Sequence, residues 1–177
     1  NQVKVVWCFF ALPDVENFVH HQKAHFIGQL QSKKAGPVAR WADVVQSVDR
    51  AKVVTALERG ASAAGRELTV LIQVDLDDGA EEHRGGASPA DVPVLAEQIV
   101  GSDSLRLGGV MAVAPLDADP ERAFARLAEV STALREDHPG ADVISAGMSG
   151  DLEQAIRHGA THLRVGTAIL GTRPPHR

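Results

Sequence analysis

"VISAGMSGDLEQAI", residues 143–156, runs from aliphatic residues through a small-residue turn into a helical pattern. "HLRVGTAILG", residues 162–171, has the same shape. An aliphatic, β-branched run bounded by glycine and serine reads as a buried strand that hands over to a helix. Two such units in succession are βα units, and βα units build parallel sheets.

Working outward, the pattern recurs toward the N-terminus. Six segments read as buried strands: "HFIG" (25–28), "DVVQSVD" (43–49), "LTVLIQVDL" (68–76), "LGGVMAVA" (107–114), "DVISAGM" (142–148) and "HLRVGTA" (162–168). A seventh candidate strand lies in 3–10, followed by a candidate helix over 14–24. The near-continuous apolar run at 68–76 is what a strand covered on both faces requires.

Helical patterns separate the strands. Residues 50–64 follow Asp49, a suitable N-cap, and place Val53, Val54, Leu57, Ala61 and Ala64 on one stripe. Ser88–Pro89 and Asp119–Pro120 each pair a capping residue with a proline at the first helical position. The helix after Asp119 carries Phe124, Leu127, Val130 and Leu134 on one side. "DLEQAIRHG" ends at Gly159, a natural C-terminal stop. Residues 77–88 are acidic, then glycine-rich, and read as a loop.

Composition bounds the function. The chain has 177 residues, 44% hydrophobic and 23% charged, which predicts one soluble globular domain. A net charge of -5 argues against a nucleic-acid surface, and no apolar run is long enough to span a membrane. No secretory leader is read, and Cys8 is the single cysteine, so a reducing, cytoplasmic setting is expected.

The chemistry concentrates in the two opening stretches. On the strand 162–168, Arg164 and Gly166 share a face and Thr167 lies at the exit. An arginine on the inner face of a parallel sheet needs a polar or anionic partner. Gly166 permits close backbone approach, while Thr167 and Ser149 place hydroxyls where strands hand over to helices. Exposed N–H groups at such points favour an anion. In (β/α)₈ barrels, phosphate sites are often built from the loops after the last two strands. If 142–148 and 162–168 are those strands, the expected ligand group is a phosphate.

"HFIGQLQSKKA" (25–35), "QSVDR" (46–50), "VLIQVDL" (70–76), "GGVMAVAP" (108–115), "GMSGDLEQAI" (147–156) and "LRVGTAILGTR" (163–173) occur in this order. Together they resemble the YggS-like family of pyridoxal phosphate homeostasis proteins, from about His25 to Arg173. The resemblance implies an α/β (β/α)₈ barrel of the alanine racemase N-terminal type, spanning 1–177 as one domain with a divergent segment over 1–24. It implies binding of pyridoxal 5′-phosphate, with storage or delivery of the cofactor to client enzymes and no established turnover. Ser149, Gly166 and Thr167 match the family's phosphate cradle, and Arg164 matches the arginine facing the pyridine nitrogen. Met148 and His25 are expected near the ring. If "NQVK" corresponds to the family's second strand, Asn1 matches an asparagine near the cofactor, and the barrel is incomplete at its N-terminus.

The family's lysine-bearing first-strand pattern is not found in the chain. Lys4 lacks its context, Lys33 and Lys34 read as solvated loop residues, and Lys23 and Lys52 fall on helical patterns. A racemase-type enzyme is the rival reading. It needs a lysine and an opposing acid–base group, and the chain contains no tyrosine. A degenerate barrel serving as an interaction module is a third. A metal site at His20, His21 and His25 finds no completing ligand nearby. A single copy, with no nucleic-acid or membrane partner, is expected.

Overall fold

The computed structural model describes residues 4–7, 23–77, 85–115 and 118–166, the first of these segments as backbone. Its strands are β1 (Lys4–Trp7), β2 (His25–Phe26), β3 (Val44–Val48), β4 (Leu68–Gln73), β5 (Leu105–Met111), β6 (Val143–Ser145) and β7 (His162–Val165). Between them run helices α1 (Ser32–Ala39), α2 (Ala51–Ala63), α3 (Val92–Val100), α4 (Pro120–Asp137) and α5 (Leu152–Arg157). The sheet order is β1-β7-β6-β5-β4-β3-β2, and every pairing is parallel. All six expected strands form, and the seventh candidate supplies β1.

Two placements differ from expectation. Lys4–Trp7 pairs with β7, Lys4 opposite His162 and Val6 opposite Arg164. It therefore takes the place of a barrel's first strand, beside the last, and not that of a second strand beside β2. The "QSKKA" segment, expected as loop, forms the start of α1, with Lys33 and Lys34 exposed on it. Gly36 and Pro37 disguise this helix in the sequence, because both residues weaken helix interiors. The candidate helix over 14–24 lies largely outside the described residues.

Capping follows the sequence in part. Asp119 accepts a hydrogen bond from the Glu121 N–H at 3.0 Å, and Pro120 opens α4. Gly159 takes φ +85° two residues after α5. Asp49 does not cap α2; its carboxylate pairs with Arg50 at 2.5 Å. Ser88 donates its hydroxyl to Asp91 at 2.7 Å, and Pro89–Asp91 forms a 3₁₀ turn before α3 begins.

The two faces of the sheet carry different side chains. One packs under the helices: Val45, Val48, Val70, Ile72, Val110, Leu163 and Val165 join Val53, Leu57, Ile99, Phe124 and Leu127 in the main core. Fully burying one such Leu or Phe contributes about 1.5–3 kcal/mol. The other face holds a small cluster of Val44, Leu71 and Met111, and beside it the buried polar residues Gln46, Ser145 and Arg164. The register of β3 against β4 shifts between Val45 and Val48, a bulge that spans Gln46 and Ser47.

The inner face is concave. β3 and β6 are three strand spacings apart, about 14 Å in a flat sheet. Gln46 on β3 nevertheless meets Ser145 on β6 at 2.7 Å, and the His25 ring on β2 lies 6.0 Å from the His162 ring on β7. Side chains from distant strands meet because the sheet curls toward a barrel. Gly109 on β5 serves that curl: its φ is +140°, and a Cβ there would fall 2.1 Å from the Val143 carbonyl oxygen on β6.

Candidate functional site

The site is built at the carboxyl ends of β6 and β7. β6 ends at Ser145, and the chain turns through Ala146, Gly147 and Met148. Gly147 adopts φ +91°, and a Cβ on it would lie 2.7 Å from the Ala155 Cβ of α5. Only glycine lets the strand turn here with the helix packed so close. The turn is closed reciprocally: the Met148 N–H donates to the Asp151 carboxylate at 2.6 Å, and the Asp151 N–H donates to the Met148 carbonyl at 3.1 Å. Ser149 sits exposed at its tip, and Met148 is 38% exposed.

β7 lies against this turn. The Arg164 N–H donates to the Gly147 carbonyl at 2.9 Å, and the Ala146 N–H donates to the His162 carbonyl at 3.1 Å. The sequence candidates Gly147, Met148, Ser149, Arg164 and Gly166 are thus gathered on two adjoining strand ends. Among the described residues, no heavy atom lies within 4 Å of the point where a Cβ on Gly166 would sit. Thr167 and Asn1 lie outside the described residues.

Arg164 is only 4% exposed. Its guanidinium donates to the Ser145 carbonyl at 2.8 Å, the Ser145 hydroxyl at 3.0 Å and the Ala112 carbonyl at 2.7 Å. These oxygens lie at or just beyond the ends of β6 and β5. They satisfy a buried cation with neutral dipoles and fix its plane. Ser145 passes the connection on, donating to Gln46 Oε1 at 2.7 Å, and Gln46 Nε2 lies 2.8 Å from His25 Nδ1. His25 is therefore wired to Arg164 through two buried side chains.

Sequence reasoning located Arg164 and the turn but missed Gln46. Its signal was present: one amide inside the apolar run "VVQSV" (44–48). An amide in a fully buried strand demands a partner.

A second feature opens at the ends of β4 and β5. A cleft of about 370 Å³ is lined by Gln73, Asp75, Asp77, Gly85, Val113 and Pro115, among others. It stands on the same end of the sheet as the Gly147 turn, on other strands.

A curled parallel sheet, an interior arginine and glycine turns at the last strand ends define a (β/α)-barrel of the racemase type. The chain belongs to the family described as alanine racemase, N-terminal domain, whose model matches residues 5–174. Within that family it is similar to pyridoxal phosphate homeostasis proteins. It is 46% identical over 157 residues to that of Corynebacterium glutamicum, covering 85% of this chain and 70% of the relative. It is 44% identical over 156 residues to that of Mycobacterium tuberculosis, covering 84% of this chain and 60% of the relative. The chain thus spans 60% of that mycobacterial relative's length.

Among solved structures, PipY of Synechococcus elongatus, determined with PLP bound, aligns with TM-score 0.77 at 30% identity. That alignment covers 86% of this chain and 72% of PipY. Alanine racemase from Corynebacterium glutamicum aligns with TM-score 0.67 at 12% identity, over 92% of this chain and 47% of the enzyme, a likeness of fold alone.

Proposed function

We propose that this chain binds pyridoxal 5′-phosphate at the carboxyl ends of β6 and β7 and serves its intracellular homeostasis, storing the cofactor or delivering it to client enzymes. The observation that carries this reading is the 2.9 Å bond from the Arg164 N–H to the Gly147 carbonyl. It joins a buried guanidinium strand to a glycine–serine turn, which suits a ligand with a phosphate at one end and a ring nitrogen at the other.

In this reading Ser149, Gly166 and Thr167 hold the phosphate, as hydroxyls and backbone N–H groups at strand ends do. The space left at Gly166 by the other described residues supports the fit. Arg164 faces the pyridine nitrogen, where a permanently charged donor keeps that nitrogen unprotonated. Bound pyridoxal phosphate supplies an aldehyde on an electron-withdrawing ring. An arginine opposite the nitrogen weakens that ring as an electron sink, which suits a carrier and also a racemase-like fold that limits side reactions. Met148 and His25 border the ring. The protein acts as a single copy in the cytoplasm, with no nucleic-acid or membrane partner. The names of the relatives support the role, and the bound ligand of PipY supports the cofactor.

Equilibrium titration of the wild type and of a Ser149→Ala, Thr167→Val double variant tests the cradle. The reading expects saturable binding that weakens by at least about tenfold in the variant, a loss of about 1.4 kcal/mol. Equal affinity would remove the cradle assignment.

A further inference from the structure

We infer that Gln46 is a positioning residue that, with Ser145, fixes the ring of His25 in the neutral form protonated on Nε2. The direction of each hydrogen bond sets the tautomer. A guanidinium only donates. Arg164 therefore donates to the Ser145 hydroxyl, at 3.0 Å. That hydroxyl has one proton, and the 2.7 Å contact with Gln46 Oε1 takes it. Oε1 is thus an acceptor, and the amide orientation follows: Nε2 is the end that lies 2.8 Å from His25 Nδ1. An amide nitrogen donates, so Nδ1 accepts and carries no proton. The neutral ring then holds its proton on Nε2.

The opposite amide orientation is disfavoured on the same grounds. It would turn Nε2 toward Ser145 and leave the hydroxyl proton of that fully buried residue without this acceptor. The permanent charge of Arg164 thus sets a polarity that runs from β7 through β6 and β3 to β2. The four residues span the concave face, Gln46 and Ser145 being 99 positions apart in sequence. His25, whose ring lies 6.0 Å from His162, offers a donor and not an acceptor at Nε2.

The bearing of this on pyridoxal phosphate rests on the reading above; the tautomer itself does not. Its test accordingly needs no ligand. Long-range proton–nitrogen correlation spectra of the intact, ¹⁵N-labelled protein separate pyridine-type from pyrrole-type ring nitrogens, with His25 assigned by the signal lost in His25→Asn. The expected result near neutral pH is a pyridine-type Nδ1 and a pyrrole-type Nε2. In Gln46→Leu the two nitrogens should move toward averaged values as the tautomers mix. Ser145→Ala, which keeps the amide but frees it to rotate, should shift them the same way, and it decides the matter should Gln46→Leu not fold. A pyrrole-type Nδ1 in the wild type, or an unchanged pattern in the folded variants, overturns the inference.

Discussion

The Ser145 hydroxyl on β6 donates a 2.7 Å hydrogen bond to Gln46 Oε1 on β3, across a sheet in which β4 and β5 lie between them. Both side chains are buried. Removing the Ser145 hydroxyl takes this donor from Gln46 Oε1. Ser145→Ala should therefore cost about 1–3 kcal/mol of stability. Urea unfolding measures it through the midpoint at constant slope. A midpoint equal to the wild type would mean that the bond contributes nothing.

In the proposed function Arg164 acts on the cofactor's electronics. Replacing it with leucine removes the charge while keeping an apolar body in the interior. The absorption maximum of bound pyridoxal phosphate should move in Arg164→Leu, because the ring nitrogen loses its charged donor. A spectrum superimposable on the wild type would place the guanidinium elsewhere.

Two glycines where α1 meets α2 should respond with opposite signs. A Cβ on Gly60 would stand 2.8 Å from the Gly36 Cα and 2.9 Å from the Ala39 Cβ, whereas one on Gly36 would meet nothing within 4 Å among the described residues beyond its own helix backbone. Gly60→Ala forces the helices apart and should cost about 1–3 kcal/mol. Gly36→Ala should stabilise by about 0.5–1 kcal/mol through the lower entropy of the unfolded chain. Thermal melts of the two variants, compared side by side, check the sign of each.

Glu121 ties α4 to the end of α5. Hydrogen bonds from Arg157 and then His158 hold its carboxyl below the ordinary value of 4.5. A carboxyl lowered in the folded state contributes stability above its unfolded value and loses it as pH falls through the folded one. The loss of stability on acidification below pH 4.5 should therefore be steeper in the wild type than in Glu121→Gln. The difference should be small and should shrink in salt, because the group is exposed. Parallel melting curves across that pH range would show it.

Much of this was legible in local sequence. The run "LTVLIQ" is largely apolar, with Leu68, Val70 and Ile72 on one face, and becomes β4 between neighbours. Asp119–Pro120 fixes the start of α4 because the carboxylate and the proline ring act within one turn. Arg164 announced an interior polar site because its charge could not stand inside a sheet unpartnered. What stayed hidden was either local conflict or long-range contact. Gly36 and Pro37 mask α1, whose buried Ala35, Val38 and Ala39 hold it in place by packing that propensity does not record. Gln46 finds Ser145 only after the sheet has curled, and no periodicity in "VVQSV" foretells a partner so distant. The place of Lys4–Trp7 beside β7 is likewise a fact of pairing between chain-distant strands.

The central claim is that the ends of β6 and β7 anchor pyridoxal 5′-phosphate by its phosphate group. The most direct measurement is a pair of absorbance titrations of the intact protein, one with pyridoxal 5′-phosphate and one with pyridoxal, which lacks the phosphate. The account predicts saturable binding of the phosphate ester and at least about tenfold weaker binding of pyridoxal, since charge-assisted hydrogen bonds to the phosphate supply the difference. Equal affinity for the two, or no saturation with either, would contradict it.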